Sequence, residues 1–94
     1  MLKSNKIAAA ISVYGKVQGV GFRFYANKKA KELNICGHVA NKPNGTVYIE
    51  AEGAKSDLDS FIDWCSIGPQ WAKVTRVEIQ HVPPLNYLIF IFLY

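Results

Sequence analysis

The chain has 94 residues, 50% of them hydrophobic, 13% aromatic and 19% charged, with a formal net charge of +4 and a pI of about 9.2. That length fits one domain over residues 1–94 and leaves no room for two, while a chain this size buries about 60–70% of its unfolded surface, enough for a core without metal or disulfide support. So apolar a composition excludes a disordered tail, and the basic balance favours anionic partners: phosphate compounds, nucleic acid or a membrane surface.

The first element is a buried strand over residues 7–14, "IAAAISVY", ended by Gly15. After "GKVQGVG" the pattern becomes helical. Phe22, Tyr25, Ala26, Ala30 and Leu33 form one stripe of a helix over 22–34, with Asn34 as a left-handed terminator. Residues 35–41 and 45–53 then flank a tight turn prepared by Pro43 and signalled by Asn44-Gly45, which predicts a hairpin. In its second strand Val47, Ile49 and Ala51 alternate with Tyr48, Glu50 and Glu52, so the first set is expected inside and the second in water. Ser56 with Asp59 three residues on resembles a capping box, and Leu58, Phe61, Ile62 and Cys65 give the stripe of a second helix, stopped by Gly68-Pro69. Residues 73–82 alternate again. One break in phase, between Val74 and Val77, predicts a bulge or an early turn. Pro83-Pro84 breaks the chain before a short last strand over 87–93.

This β-α-β-β-α-β order, with a short final strand, predicts a ferredoxin-like α+β sandwich: an antiparallel sheet with two helices on one face. The fold hosts many activities and does not choose among them. Lysines and a short apolar run at the N-terminus read as the start of the first strand rather than a signal peptide, and "YLIFIFLY" is far too short to span a membrane. A cytoplasmic protein follows, without a membrane partner. Cys36 and Cys65 lack metal-ligand spacing and read as two buried thiols in a reducing compartment, although sequence alone leaves a disulfide between them open. His, Cys, Asp and Glu do not recur at ligand spacing near the glycine segment, so no metal and no cofactor is expected.

The glycine segment carries the chemistry. Residues 15–23 join a strand to a helix, where unpaired backbone N–H groups face outward at the positive end of the helix dipole. Gly15, Gly19 and Gly21 let the backbone approach a ligand, and Arg23, in the first helical turn, can pair two oxygens of a tetrahedral anion. Lys16, Val17, Gln18, Val20 and Phe22 complete the candidate phosphate cradle. It is neither a P-loop nor a dinucleotide loop: G-x-x-x-x-G-K-[ST] is absent, and Phe24 stands where the third glycine of a G-x-G-x-x-G would fall.

"GKVQGVGFR" resembles the acylphosphatase signature G-x-V-Q-G-V-x-[FY]-R and matches it at every fixed position, from Gly15 to Arg23. "LNICGHVANKPNGTVYIEAEG" is similar to that family's second block and "IGPQWAKVTRVEI" to its G-P-x-x-A-x-V-x-x-V stretch. The resemblance implies hydrolysis of the carboxyl–phosphate anhydride of acyl phosphates, without a metal, with inorganic phosphate as product and competitive inhibitor. It implies that Arg23 binds the phosphate and that Asn41 positions the attacking water. It departs from the family at His38, Ala40, Lys42-Pro43-Asn44 and the terminal "FIFLY". Strand alternation sets residues 38 and 41 on opposite faces, which argues against His38 as a general base. Asn27, on the first helix near Arg23, reads equally as a solvent-facing residue.

Two other functions compete. A non-catalytic phosphate- or carbamoyl-phosphate-binding module would use the same cradle, but the presence of both Arg23 and Asn41 favours turnover. An RNA-binding sheet would need a strand rich in aromatic residues, and residues 45–53 offer only Tyr48. A monomer with a small-molecule acyl phosphate substrate and no nucleic-acid partner is therefore expected.

Overall fold

The computed structural model describes residues 5–93; the expectation that residues 1–4 and 94 complete the same domain lies outside the described residues. Seven elements follow in chain order: β1 (Lys6–Lys16), α1 (Phe22–Glu32), β2 (Cys36–Asn41), β3 (Val47–Ala54), α2 (Lys55–Ile67), β4 (Lys73–Val82) and β5 (Phe90–Phe92). The strands form one sheet in the order β4-β1-β3-β2-β5. Both helices cover one face, as the ferredoxin-like expectation requires. Ile11, Val13, Val39 and Ile49 from the sheet meet Ala26 and Ala30 of α1 and Leu58 and Phe61 of α2, all fully buried. Each large side chain so placed contributes about 1.5–3 kcal/mol.

Local chemistry sets the boundaries. Helix α1 ends in a Schellman motif: the Ile35 N–H donates to the Ala30 carbonyl at 2.8 Å and the Asn34 N–H to the Lys31 carbonyl at 3.4 Å. Asn34 takes the left-handed turn this needs, at φ 57°. Between β2 and β3 the loop Pro43–Gly45 is closed by Gly45 N–H to Lys42 O and Lys42 N–H to Thr46 O, with only Gly45 at positive φ. The phase break in β4 is a bulge: Tyr14 pairs with Arg76 and Gly15 with Val74, leaving Thr75 as the extra residue. At Gly15 a Cβ would lie 2.1 Å from the Lys73 carbonyl oxygen, so only glycine allows this approach.

Three expectations are corrected. The sheet is not wholly antiparallel, because β5 pairs parallel with β2. Strand β4 ends beside Ala8, at the same end of the sheet where β2 begins. A strap, residues 83–89, crosses the outer face there, and β5 runs up the far edge in β2's direction. Glu52 is not in water but 1% exposed. Its two carboxylate oxygens accept the N–H groups of Leu85 and Tyr87, both at 2.9 Å, so the strap lies on top of it. The capping box does not form either. The strand runs straight into the helix, Ala54 occupies the N-cap, and Asp59 pairs with Lys55 at 2.8 Å instead of reaching back to Ser56.

Candidate active site

The segment between β1 and α1 has three parts. Gly15 and Lys16 are still strand, paired with Val74 and Lys73 of β4. Residues 17–21 form the loop proper, held from below by the buried side chains of Val17 and Val20. Phe22 and Arg23 open the helix, with Phe22 buried against Trp64. Gly21 takes the N-cap at φ 81°, and no side chain caps the helix. Gly19 is also left-handed, at φ 73°, with nothing within 4 Å of where a side chain would begin. The backbone N–H groups of residues 18–22 donate to no other backbone group among the described residues. They lie at the N-terminal, positive end of an 11-residue helix.

Gln18 does not face this opening as a ligand would. Its side-chain amide donates to the carbonyls of Lys42, at 2.8 Å, and Thr46, at 2.9 Å. It thereby fastens the loop to the β2–β3 hairpin, the element that ends in Asn41. Asn44 closes that hairpin from within, its Oδ1 accepting from the Thr46 N–H and hydroxyl.

Arg23 and Asn41 line one cleft of about 100 Å³ together with Val17, Gly19, Gly21, Phe22, Phe24 and Phe92. Among the described residues no carboxylate and no imidazole lines it, and Arg23 is the one charged side chain that does. The guanidinium is oriented from the far end of the chain: Nη1 donates to the Leu93 carbonyl at 2.8 Å, and the group lies 4.8 Å from the centre of the Phe92 ring. The Asn41 Oδ1 is buried and accepts no hydrogen bond from any described residue. An acceptor left so costs about 1–3 kcal/mol, and Asn41 is among the residues that line the cleft. Such an arrangement suits a tetrahedral anion with a water beside it.

The structure therefore brings Arg23, Asn41, Val17, Gly19, Gly21 and Phe22 together around one cleft, and Gly15, Lys16, Gln18 and Val20 are not among its lining residues. Phe92 and Leu93 belong to the arginine's surroundings and were not singled out from sequence. Their separation of 70 residues from Arg23 leaves no local signal. Asn27 is absent from the cleft lining, although its Oδ1 too is buried without a partner among the described residues.

His38 lies on the outer face, as alternation predicts. Its Nε2 stands 3.7 Å from Glu50 Oε1, and its ring packs beside Tyr48 and Tyr87. Hydrogen bonds from Tyr87 and then Tyr48 hold the Glu50 carboxyl below its ordinary pKa. Burial, then the bond to Glu50, pushes Tyr48 up to about 12, and the bond to Glu50, then burial, pushes Tyr87 up to about 12. Cys36 and Cys65 are both free thiols, and burial drives the Cys65 thiol well above its usual range, leaving it inert. Among the described residues no group of three His, Cys, Asp or Glu could hold a metal ion, and no helix is long and apolar enough to cross a membrane.

Fold and cleft together define a ferredoxin-like α+β domain whose first helix offers unpartnered amides and one cation to an anion. Three comparisons agree on what kind. A family model described as Acylphosphatase matches residues 9–88. An acylphosphatase of Mannheimia succiniciproducens is 58% identical over 66 residues, covering 70% of this chain and 73% of that protein. The structure of an acylphosphatase from Coxiella burnetii superposes with a TM-score of 0.93 at 33% identity, over 98% of this chain and 99% of that one. Full-length HypF, in its phosphate- and nucleotide-bound form, superposes with a TM-score of 0.91 at 29% identity, but over only 12% of its own length. The chain belongs to the acylphosphatase family. It is a hydrolase, and its substrate is a small-molecule acyl phosphate.

Proposed function

We propose that Arg23, the N–H groups of the loop and the first turn of α1 bind the phosphoryl group, and that Asn41 aims a water in line with the bond to the leaving carboxylate. The water oxygen forms a bond to phosphorus while the bond from phosphorus to the acyl oxygen breaks. The carboxylate leaves with the bonding pair, and the water's protons end on the product phosphate. A carboxylate leaves as a weak base, with a pKa near 4, so no general acid is needed. Holding the phosphoryl group, offsetting its charge and orienting the water suffice. No step so assigned is routed through a metal.

The observation that carries this reading is that Arg23 and Asn41, 18 positions apart in the chain, line one small cleft with Gly19 and Gly21 of the loop. Inorganic phosphate occupies the same cradle and competes with substrate. Two free thiols fit a reducing cytoplasm. Benzoyl phosphate hydrolysis by Arg23→Ala tests it. Losing a paired guanidinium costs about 2–4 kcal/mol of transition-state binding and weakens phosphate inhibition as well. Arg23→Lys rescues little, because an ammonium cannot copy the fork. Unchanged kcat/KM and unchanged phosphate inhibition in Arg23→Ala would remove that residue from the site.

A further inference from the structure

The cleft accounts for the phosphate and for nothing else of the substrate. Its volume of about 100 Å³ lies well below the roughly 300–1,000 Å³ of ordinary ligand sites. The acyl group must therefore lie outside it. A second hollow, of about 320 Å³, opens between α1 and the segment that follows α2. Its walls are Tyr25, Trp64, Pro69 and Trp71, with the stems of Lys28 and Lys29 along one side. Trp71 is 69% and Tyr25 45% exposed, although large aromatics usually find cover.

No residue lines both hollows, but they meet at Phe24 and Tyr25, which are adjacent in the chain. Gly21 lines the cleft, and a Cβ there would touch the Tyr25 ring at 3.4 Å. Phe24 also lines the cleft, is 57% exposed, and meets Tyr25 edge to face with ring centres 5.0 Å apart. Aromatic surface thus continues from the mouth of the cleft over Phe24 and Tyr25 to Trp71. Lys29 is paired with Glu32, which also lines the hollow, at 3.1 Å, so Lys28 is left as its net positive charge.

We propose that this groove is the acyl-group subsite and that it selects acyl phosphates with a large aromatic or long apolar acyl part over acetyl phosphate. The inference rests on the phosphate-cradle reading above. Binding remote from the reacting bond acts alike in ground and transition states, so it shows in KM and leaves kcat alone.

The experiment compares acetyl phosphate with naphthoyl phosphate in the parent chain, Trp71→Ala and Tyr25→Ala. In the parent, naphthoyl phosphate has the lower KM. In either variant its KM rises about tenfold, the size of a lost aromatic contact, while its kcat and both constants for acetyl phosphate hold. Equal KM for the two substrates in the parent, or equal loss on both substrates in the variants, would overturn the proposal. So would a change in oligomeric state on Trp71→Ala, measured by light scattering, because the groove would then be an interface between copies of the chain. Failure of the cradle reading is separate: it appears as acetyl phosphate hydrolysis that survives Arg23→Ala.

Discussion

Asn41→Ala isolates the placement of the water from the binding of the phosphate. In the folded chain the Asn41 Oδ1 is buried and lacks a hydrogen-bond partner among the described residues. Truncation therefore breaks no protein hydrogen bond to that oxygen, and it removes an acceptor whose isolation costs about 1–3 kcal/mol. The backbone of Asn41 stays paired with Val47 across the hairpin. The variant should melt no lower than its parent, and any shift should be upward. Catalysis should move the other way. A nucleophile that loses its orienting contact costs about 10²-fold in kcat, or about 2.7 kcal/mol of barrier. Phosphate inhibition should hold, because Arg23 and the loop amides remain. Benzoyl phosphate kinetics with phosphate as inhibitor, beside thermal melts followed by circular dichroism, read all three quantities. Asn41→Asp is the finer probe: it retains an acceptor but sets a negative charge beside a dianion, so it should lose phosphate affinity as well as kcat. A near-normal kcat in Asn41→Ala, or phosphate inhibition weakened as much as kcat, would show that something else places the water.

Treatment with a chelator should leave benzoyl phosphate hydrolysis intact, and complete, reversible loss would refute a mechanism that relies on Arg23 and the loop amides alone to offset the phosphoryl charge. Gln18→Ala should raise the KM and the phosphate inhibition constant together while the fold persists, since it releases the loop from the Lys42 and Thr46 carbonyls; unchanged constants would make that clamp idle. Stability should decline at both ends of the pH range. Tyr48 and Tyr87 hold their protons to about 12 against an ordinary 10, so their contribution is complete below 10 and is lost as pH rises to about 12. Glu50 has the opposite sign: its contribution is present above the ordinary 4.5 and is lost as pH falls through its lower folded value. Melting temperatures across pH, with Tyr87→Phe flattening the alkaline limb, check both; an alkaline limb unchanged in that variant counts against the assignment.

Where short-range chemistry decides, the sequence was legible. Asn34 marked its own left-handed turn, and the break between Val74 and Val77 marked the bulge at Thr75. The loop between β1 and α1 could be placed from its glycines, and Asn41 from its block in the family resemblance. Glu52 was misread because alternation reports only which face a side chain takes, not what later covers that face. The strap that buries it arrives more than thirty residues on and is held through backbone N–H groups, which carry no sequence signature. Arg23's contact with Leu93 escaped for the same reason. The capping box failed because a strand that runs directly into a helix leaves no loop residue free to cap it, and Lys55 offered Asp59 a nearer charge.

The clamp made by Gln18 bears on protein engineering. A short glycine loop invites transplantation onto another strand–helix junction as a ready anion receptor. Here the loop's shape is specified in part by two carbonyls 24 and 28 residues downstream. Grafted alone, residues 15–23 would carry their glycines and arginine but not their curvature. The smallest portable module runs to Thr46, and a host scaffold must offer room for a whole hairpin beside its helix.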